Sequence, residues 1–377
     1  MDAPRTPQGP PLGVGLVGCG AIGQIHADGL AKLVDDGLVV AVAAGDPSAE
    51  GRAAVERNCH FQRLAADPFS VIEDPAVDAV LVAAPTVAHL DLVEATLAAG
   101  KALLCEKPLA PRFADVQRLC AAVAASPVTA QVGFHSRFHP LADRLRQMVA
   151  TDELGPPMSY LLRDDQFFPS GDFVAGHSSW RHDATLAGGG ALLEHSIHAA
   201  DLLVWVFGPV RRVYAATRHS FGYRVEDSAV VTIEHESGVI GSLVSVFNGV
   251  LGREERRWEV FFEHGTVELT SDFIVGAPED GLLVQRPAEP PERVDLAALR
   301  ERYFSGLGIT RRDFLFYQYP ADRSWVRAVL AGLPASPGFA DALAAHAVVE
   351  AAYRSAATAT ASPVTVAGDP PFLDGPG

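Results

Sequence analysis

Cysteine is scarce in this sequence: Cys19, Cys59, Cys105 and Cys120 stand far apart and form no CxxC pair. A disulfide frame or a zinc ribbon needs paired, closely spaced cysteines, so these four read as reduced thiols of a cytoplasmic protein. Long apolar runs are missing too, and none approaches the ~18 residues of a membrane helix. The opening MDAPRTPQGPPLG has no apolar stretch of the kind a secretory leader requires. Positive charge is short, since 30 Lys+Arg against 46 Asp+Glu give a formal net charge of −16. That balance offers no basic surplus to displace counterions from nucleic-acid phosphates or to dock on anionic lipid. No repeat recurs at solenoid periods. With nucleic acid and membrane set aside, a small neutral or modestly charged molecule is the expected partner.

What is present describes a globular chain. At 377 residues, 48% hydrophobic and 20% charged, it is too long for one ordinary core, and two domains are expected. Residues 1–12 and 367–377, rich in Pro and Gly, read as disordered tails. Through 13–133, short apolar runs (Val14–Gly18, Leu38–Ala44, Asp78–Pro85, ALLCE, VTAQVGF) alternate with helical patterns. Strand and helix in alternation imply a doubly wound parallel sheet with right-handed crossovers.

From 134 to 366 the grammar changes. Period-two segments at Val210–Thr217, Ser228–His235, Val239–Phe247, Trp258–Glu263 and Thr266–Thr270 are joined by hairpin-like turns. They predict an α+β domain with a large, mostly antiparallel sheet. A single helix is expected over Gly190–Phe207, and a late one near 339–357 is a candidate to pack back on the first domain. The fold class is therefore α/β, with an N-terminal Rossmann sheet and a C-terminal α+β domain.

The first strand runs straight into Gly18-Cys19-Gly20-Ala21-Ile22-Gly23 and then a helix. The first glycine permits a tight turn, the second lets a pyrophosphate approach the backbone, and the third packs helix on strand. Phosphates would sit at the helix N-terminus, where amides and dipole favour anions. A ribose carboxylate is expected at the tip of the second strand, where the sequence reads AVAAGDPS. Ala44 fills the usual position and Asp46 follows two residues later, either to hold the ribose or to cap the helix after Pro47. No Lys or Arg stands immediately beside Asp46 to receive a 2′-phosphate, so NAD is favoured, with NADP the alternative.

Two further stretches carry chemistry. Glu106-Lys107-Pro108 ends the ALLCE strand, and ligands of open parallel sheets bind off these carboxyl ends. A lysine there can stabilise charge developing on a substrate oxygen. On the dipeptide alone, a surface lysine beside a turn proline is the simpler reading. In GGGALLEHSIHAAD, Glu194, His198 and Asp201 are spaced by four and three and share one helical face, with His195 aside. The two histidines lack the zincin spacing, so no metal is expected. An imidazole beside a carboxylate suits a general base, whereas His195 and Asp201 read as structural. Taken alone, His198 is more simply a satisfied core histidine. Trp180 and Arg181 precede this helix, as substrate walls or as a packing anchor and ion pair.

The combination of GLVGCGAIGQIH, APTVAH, GKALLCEKPLA, VGFHSRFHP and WRHDATLAGGGALLEHSIH resembles the Gfo/Idh/MocA family of nicotinamide-dependent oxidoreductases. The resemblance implies that Lys107 contacts substrate and nicotinamide, that His198 is the catalytic acid/base, and that Glu194 pairs with it or with substrate. It implies that Pro85, Thr86, His89 and Glu106 line the cofactor. VGFHSRFHP departs from the family's pattern at His135 and Ser136 but retains Arg137, a candidate substrate contact. The implied activity is alcohol–ketone interconversion on a sugar or cyclitol by a homodimer or homotetramer. An NAD-retaining hydrolase or epimerase with internal hydride recycling, and a non-catalytic ligand sensor on the same scaffold, are the rival readings.

Overall fold

The structure, a computed structural model, describes residues 9–168, 179–250, 254–272 and 275–366. Residues 1–8 and 367–377 of the expected tails lie outside these, and Leu12 already opens the first strand.

The chain runs through β1 (Leu12–Val17), α1 (Ala21–Asp35), β2 (Val39–Gly45), α2 (Ala49–Asn58), β3 (Arg63–Ala65) and α3 (Phe69–Ile72). It continues through β4 (Ala79–Val82), α4 (His89–Ala98), β5 (Ala102–Cys105), α5 (Phe113–Ala124), β6 (Ala130–Val132) and α6 (Pro140–Ala150). Next come β7 (Pro157–Phe167), α7 (Ala184–Ala187), α8 (Ile197–Phe207), β8 (Val210–Arg218), β9 (Ser228–His235) and β10 (Ile240–Asn248). After β11 (Glu255–Phe262), β12 (Gly265–Ser271), β13 (Gly281–Gln285) and β14 (Glu292–Arg293) follow α9 (Leu296–Gly306), α10 (Gln318–Ala331), α11 (Phe339–Thr358) and β15 (Ser362–Pro363).

Contacts divide the chain into two compact units. The first takes the chain up to Ala110, then Asp115–His135 and Phe304–Ala342; the second takes Pro111–Ala114, Ser136–Tyr303 and the chain from Leu343 on. The late segment that completes the first unit is thus 304–342, and most of the helix expected there, α11, belongs to the second.

In the first unit, β3-β2-β1-β4-β5-β6 form one sheet, parallel throughout. All of β1, β4 and β5 is buried, as helices on both faces of a parallel sheet require. Strand order reverses between β1 and β4, which opens a crevice at their carboxyl ends. α10 packs along α1, where a Cβ at Gly29 would stand 3.0 Å from Asp322 Oδ2.

In the second unit, nine strands are ordered β14-β13-β12-β11-β7-β10-β9-β8-β15. Every pairing is antiparallel except β10 with β7. Alternate residues of β9 (Ala229, Val231, Ile233) are buried, so one face of the sheet is core. α8 lies on that face, with Phe207 stacked on Tyr160 of β7 at 4.7 Å between centroids. The central strand β7 has no counterpart among the expected strands. Its inward positions include Asp164, buried with charged partners, and that breaks the apolar alternation by which a strand is read. Among the described residues, no helix is long and apolar enough to cross a membrane.

Candidate active site

The glycine turn between β1 and α1 is shaped by close approach. Gly18 has φ +94°, and a Cβ there would lie 2.5 Å from the Ala83 carbonyl at the end of β4. A Cβ at Gly23 would lie 2.1 Å from Gly18 O, so helix and turn pack backbone to backbone. At Gly20, by contrast, a Cβ would meet nothing within 4 Å. Gly20 is also the N-cap of α1, no side chain caps that helix, and no acidic residue lies in its first turn. An open face over uncapped amides is what a pyrophosphate needs.

Beside it lies a depression of about 310 Å³ lined by Cys19, Gly20, Gln24, Asp46, Ser48 and neighbours. Asp46 does not cap α2, because Ser48 does so by accepting from the Gly51 amide at 3.1 Å. Instead, the Asp46 carboxylate accepts from the amides of Cys19 at 2.8 Å and Ser48 at 2.7 Å. It therefore ties the tip of β2 to the glycine turn. Arg52 does come close through the first turns of α2, but its guanidinium donates to the carbonyls of Asp46 and Pro47. The residues present fit a dinucleotide whose ribose carries a free 2′-hydroxyl.

Around the EKP turn, several residues expected to line the cofactor also hold the turn. Pro85 and Thr86 open a single 3-10 turn, Thr86–Ala88, at the end of β4. His89 is buried, and its ring nitrogens lie 2.9 Å from Pro108 O and 2.8 Å from Ala84 O. It staples the EKP turn to the β4 loop. Glu106 points inward: Oε2 accepts from the Lys107 amide at 3.1 Å, while Oε1 lies 3.1 Å from His26 Nε2. Lys107 is half-buried and is joined to Pro108 by a cis peptide bond.

In the second unit, the three glycines each meet a different neighbour. A Cβ at Gly188 (φ +84°) would lie 2.3 Å from Pro111 O, one at Gly189 2.2 Å from the Tyr353 hydroxyl, and one at Gly190 1.8 Å from Glu226 O. Glu226, which no sequence signal singled out, anchors the turn. Its buried carboxylate accepts from the amides of Gly190 (2.7 Å) and Leu192 (2.9 Å) and from the Tyr353 hydroxyl (2.8 Å). Burial pushes its pKa up, against these three hydrogen bonds.

The single helix expected over Gly190–Phe207 is in fact broken. Ala191–His195 form a π-helical turn, closed by the Ser196 amide on Ala191 O at 2.9 Å, and α8 starts only at Ile197. Glu194 sits in that turn and His198 in α8, so a regular 3.6-residue face does not relate them. Such π turns recur at functional sites. Glu194, 4% exposed, pairs with Arg181 (3.3 Å), whose guanidinium lies 5.6 Å from the Trp180 ring centroid. The structure therefore brings Trp180, Arg181 and Glu194 together.

His195 has a carboxylate partner of its own, Asp164 at 3.2 Å. Asp164 also holds Arg256 (3.0 Å) and the Ser196 hydroxyl (2.9 Å). Burial would raise the Asp164 pKa, but Arg256 and His195 hold it well below the usual carboxylate range. His198 is buried, one turn before Asp201. Arg137 grips Asp201 with its fork at 2.6 and 2.8 Å, with both groups buried, and so fixes α8.

A parallel sheet with an open glycine turn and a carboxylate at the tip of β2 defines a dinucleotide-dependent oxidoreductase. The family model described as oxidoreductase family, NAD-binding Rossmann fold matches residues 12–134, and the GFO/IDH/MocA C-terminal domain model matches residues 142–268. Myo-inositol 2-dehydrogenase of Thermotoga maritima is 31% identical over 263 residues, covering 67% of this chain and 74% of that protein. Inositol 2-dehydrogenase of Acidothermus cellulolyticus is 30% identical over 367 residues, covering 96% of each. The fold is similar to that of a levoglucosan dehydrogenase in complex with NADH and levoglucosan, with TM-score 0.83 at 22% identity over 94% of this chain and 100% of that one. The chain belongs to the Gfo/Idh/MocA family and is an NAD-dependent dehydrogenase.

Proposed function

We propose that this chain interconverts a secondary alcohol and a ketone on a cyclitol or sugar, with an inositol as the first candidate. The observation that carries this reading is the 30% identity, over 96% of each chain, to a protein named for action on inositol.

Gly18, Gly20, Ala21, Ile22 and Gly23 would hold the pyrophosphate of NAD at the α1 N-terminus, and Asp46 the adenosine ribose. Pro85 and Thr86 would wall the crevice. When bound, NAD supplies a ring that accepts or returns a hydride. His198 takes the hydroxyl proton during oxidation and gives it back during reduction. Lys107 contacts the substrate and stabilises negative charge that develops on its oxygen. Glu194 orients His198 or pairs with the substrate, and Trp180 and Arg181 flank the substrate.

Leu161, Tyr214, Val230 and Ile240 stand 50–55% exposed on the outer face of the nine-stranded sheet, which supports a homodimer or homotetramer. Light scattering tests that assembly.

The functional test is an absorbance screen at the NADH band, pairing NAD and NADP with inositols, aldoses and sugar phosphates. NADH formation with NAD and an inositol is the expected result. Silence across all cyclitols and sugars overturns the reading.

A further inference from the structure

We propose that His26 is a positioning residue for Lys107, acting through the Glu106 carboxylate from inside the first unit. The inference rests on the reading of Lys107 as a substrate contact.

His26 lies on α1, three residues beyond Gly23, and is 1% exposed. Nδ1 faces both oxygens of Asp322, at 2.9 and 3.0 Å, and Nε2 faces Glu106 Oε1 at 3.1 Å. Burial pushes the Asp322 carboxyl up and His26 pulls it back down; with both carboxylates ionised they only accept, so both ring nitrogens donate and the ring is an imidazolium. Burial by itself lowers the His26 pKa, but the charges and hydrogen bonds of Asp322 and Glu106 push it up to about 10. Burial raises Glu106 in turn, and His26, His135 and Lys107 more than reverse this.

The route from His26 to Lys107 is short. Glu106 spends one oxygen on His26 and the other on the Lys107 amide. Behind it is Gly133, where a Cβ would stand 2.3 Å from Oε1 and 2.9 Å from Oε2, so the carboxylate fills the room that a side chain there would take. On the next residue of the turn, His89 Nδ1 holds Pro108 O. The groups facing His26 are thus Asp322 from α10 and Glu106 from the turn. His135, held by Gln318 at 3.3 Å, and Lys107 stand next to Glu106. Two buried carboxylates share one imidazolium, which leaves one negative charge beside the Lys107 ammonium. Without His26 the Glu106 charge beside Lys107 is unbalanced, and the anchor of the Lys107 amide loses its counter-ion.

The composition makes this measurable, because Lys32, Lys101 and Lys107 are the only lysines of the 377-residue chain. Reductive ¹³C-methylation of the full chain gives one ε-amine NMR signal for each, and Lys107→Arg identifies the third. In His26→Gln, the Lys107 titration midpoint is expected to rise by about one unit, since unbalanced Glu106 favours the ammonium. Lys32, paired with Asp28, and Lys101, held by Asp74 O, keep their midpoints and report the fold.

An unmoved Lys107 signal in folded His26→Gln overturns the proposal. If that variant does not fold, Asp322→Asn, close in shape, tests the same cluster with the opposite sign: it removes a negative charge and leaves the imidazolium on Glu106, so the Lys107 midpoint is expected to fall by a smaller amount, and an unmoved or raised Lys107 overturns the proposal there. The measurement needs no substrate. Lys107→Ala with undiminished turnover would instead remove the functional reading and leave the His26 result standing.

Discussion

Asp46 spends its carboxylate on the amides of Cys19 and Ser48, yet it borders the depression beside Gly20. A ribose hydroxyl placed there meets an acceptor with lone pairs to spare, whereas a 2′-phosphate meets a negative charge. Asp46→Ala is therefore expected to raise KM for NAD by about 10- to 100-fold, the worth of a hydrogen bond to a charged group. KM for NADP should rise less, and an unchanged NADP/NAD ratio would remove Asp46 from cofactor selection. At His198, loss of a general base costs roughly 10²–10⁴ in kcat, about 3–5 kcal/mol of barrier. His198→Ala should show that loss in single-turnover kinetics with NAD binding retained, and full turnover would strike His198 from the reaction.

The turn from Gly188 to His195 is built as one element by parts of the chain remote from it. Gly190→Ala would drive a Cβ to 1.8 Å from Glu226 O, a clash with backbone rather than with a side chain that can swing away. A loss of about 2–4 kcal/mol is expected, as for other strained buried sites, read as a fall in the urea midpoint. The change should also cost activity, because Glu194 and His195 ride on the same turn. The sequence made part of this legible. The β1–α1 glycine pattern, the alternation of the parallel sheet and the spacing of β8 to β12 are local signals, and the structure has them. The π turn is not local. Its anchor Glu226 lies 36 residues from Gly190, and Tyr353 lies 127 residues further on. Nor could neighbouring residues announce that Arg137 would spend its fork on Asp201, or that His89 and Glu106 would face carbonyls and a buried imidazolium. A helix pattern read at 3.6 residues per turn cannot register a turn widened by such distant contacts.

Across the first unit, His26 and Asp322 meet over 296 residues of chain, so the unit is completed only when the segment 304–342 returns and sets α10 on α1. That contact gives the whole fold a pH signature. The His26 pKa rises from its ordinary 6.5 to about 10 on folding, because Asp322 and Glu106 outweigh the cost of burial. A group raised on folding stabilises fully below its unfolded pKa, and the contribution is lost as pH climbs through the folded one. The stability owed to His26 is thus whole near pH 6.5 and fades towards pH 10. Replacing one partner of a buried charge cluster costs about 3–5 kcal/mol, on the order of 10 °C in Tm for a unit of this size. His26→Gln should accordingly melt well below the parent protein near neutrality, with the gap narrowing steadily as the pH approaches 10. The two thermal curves, followed by circular dichroism across that range, decide the matter. A gap that stays constant means that the ring between Glu106 and Asp322 is neutral and that its charge does not hold the unit together.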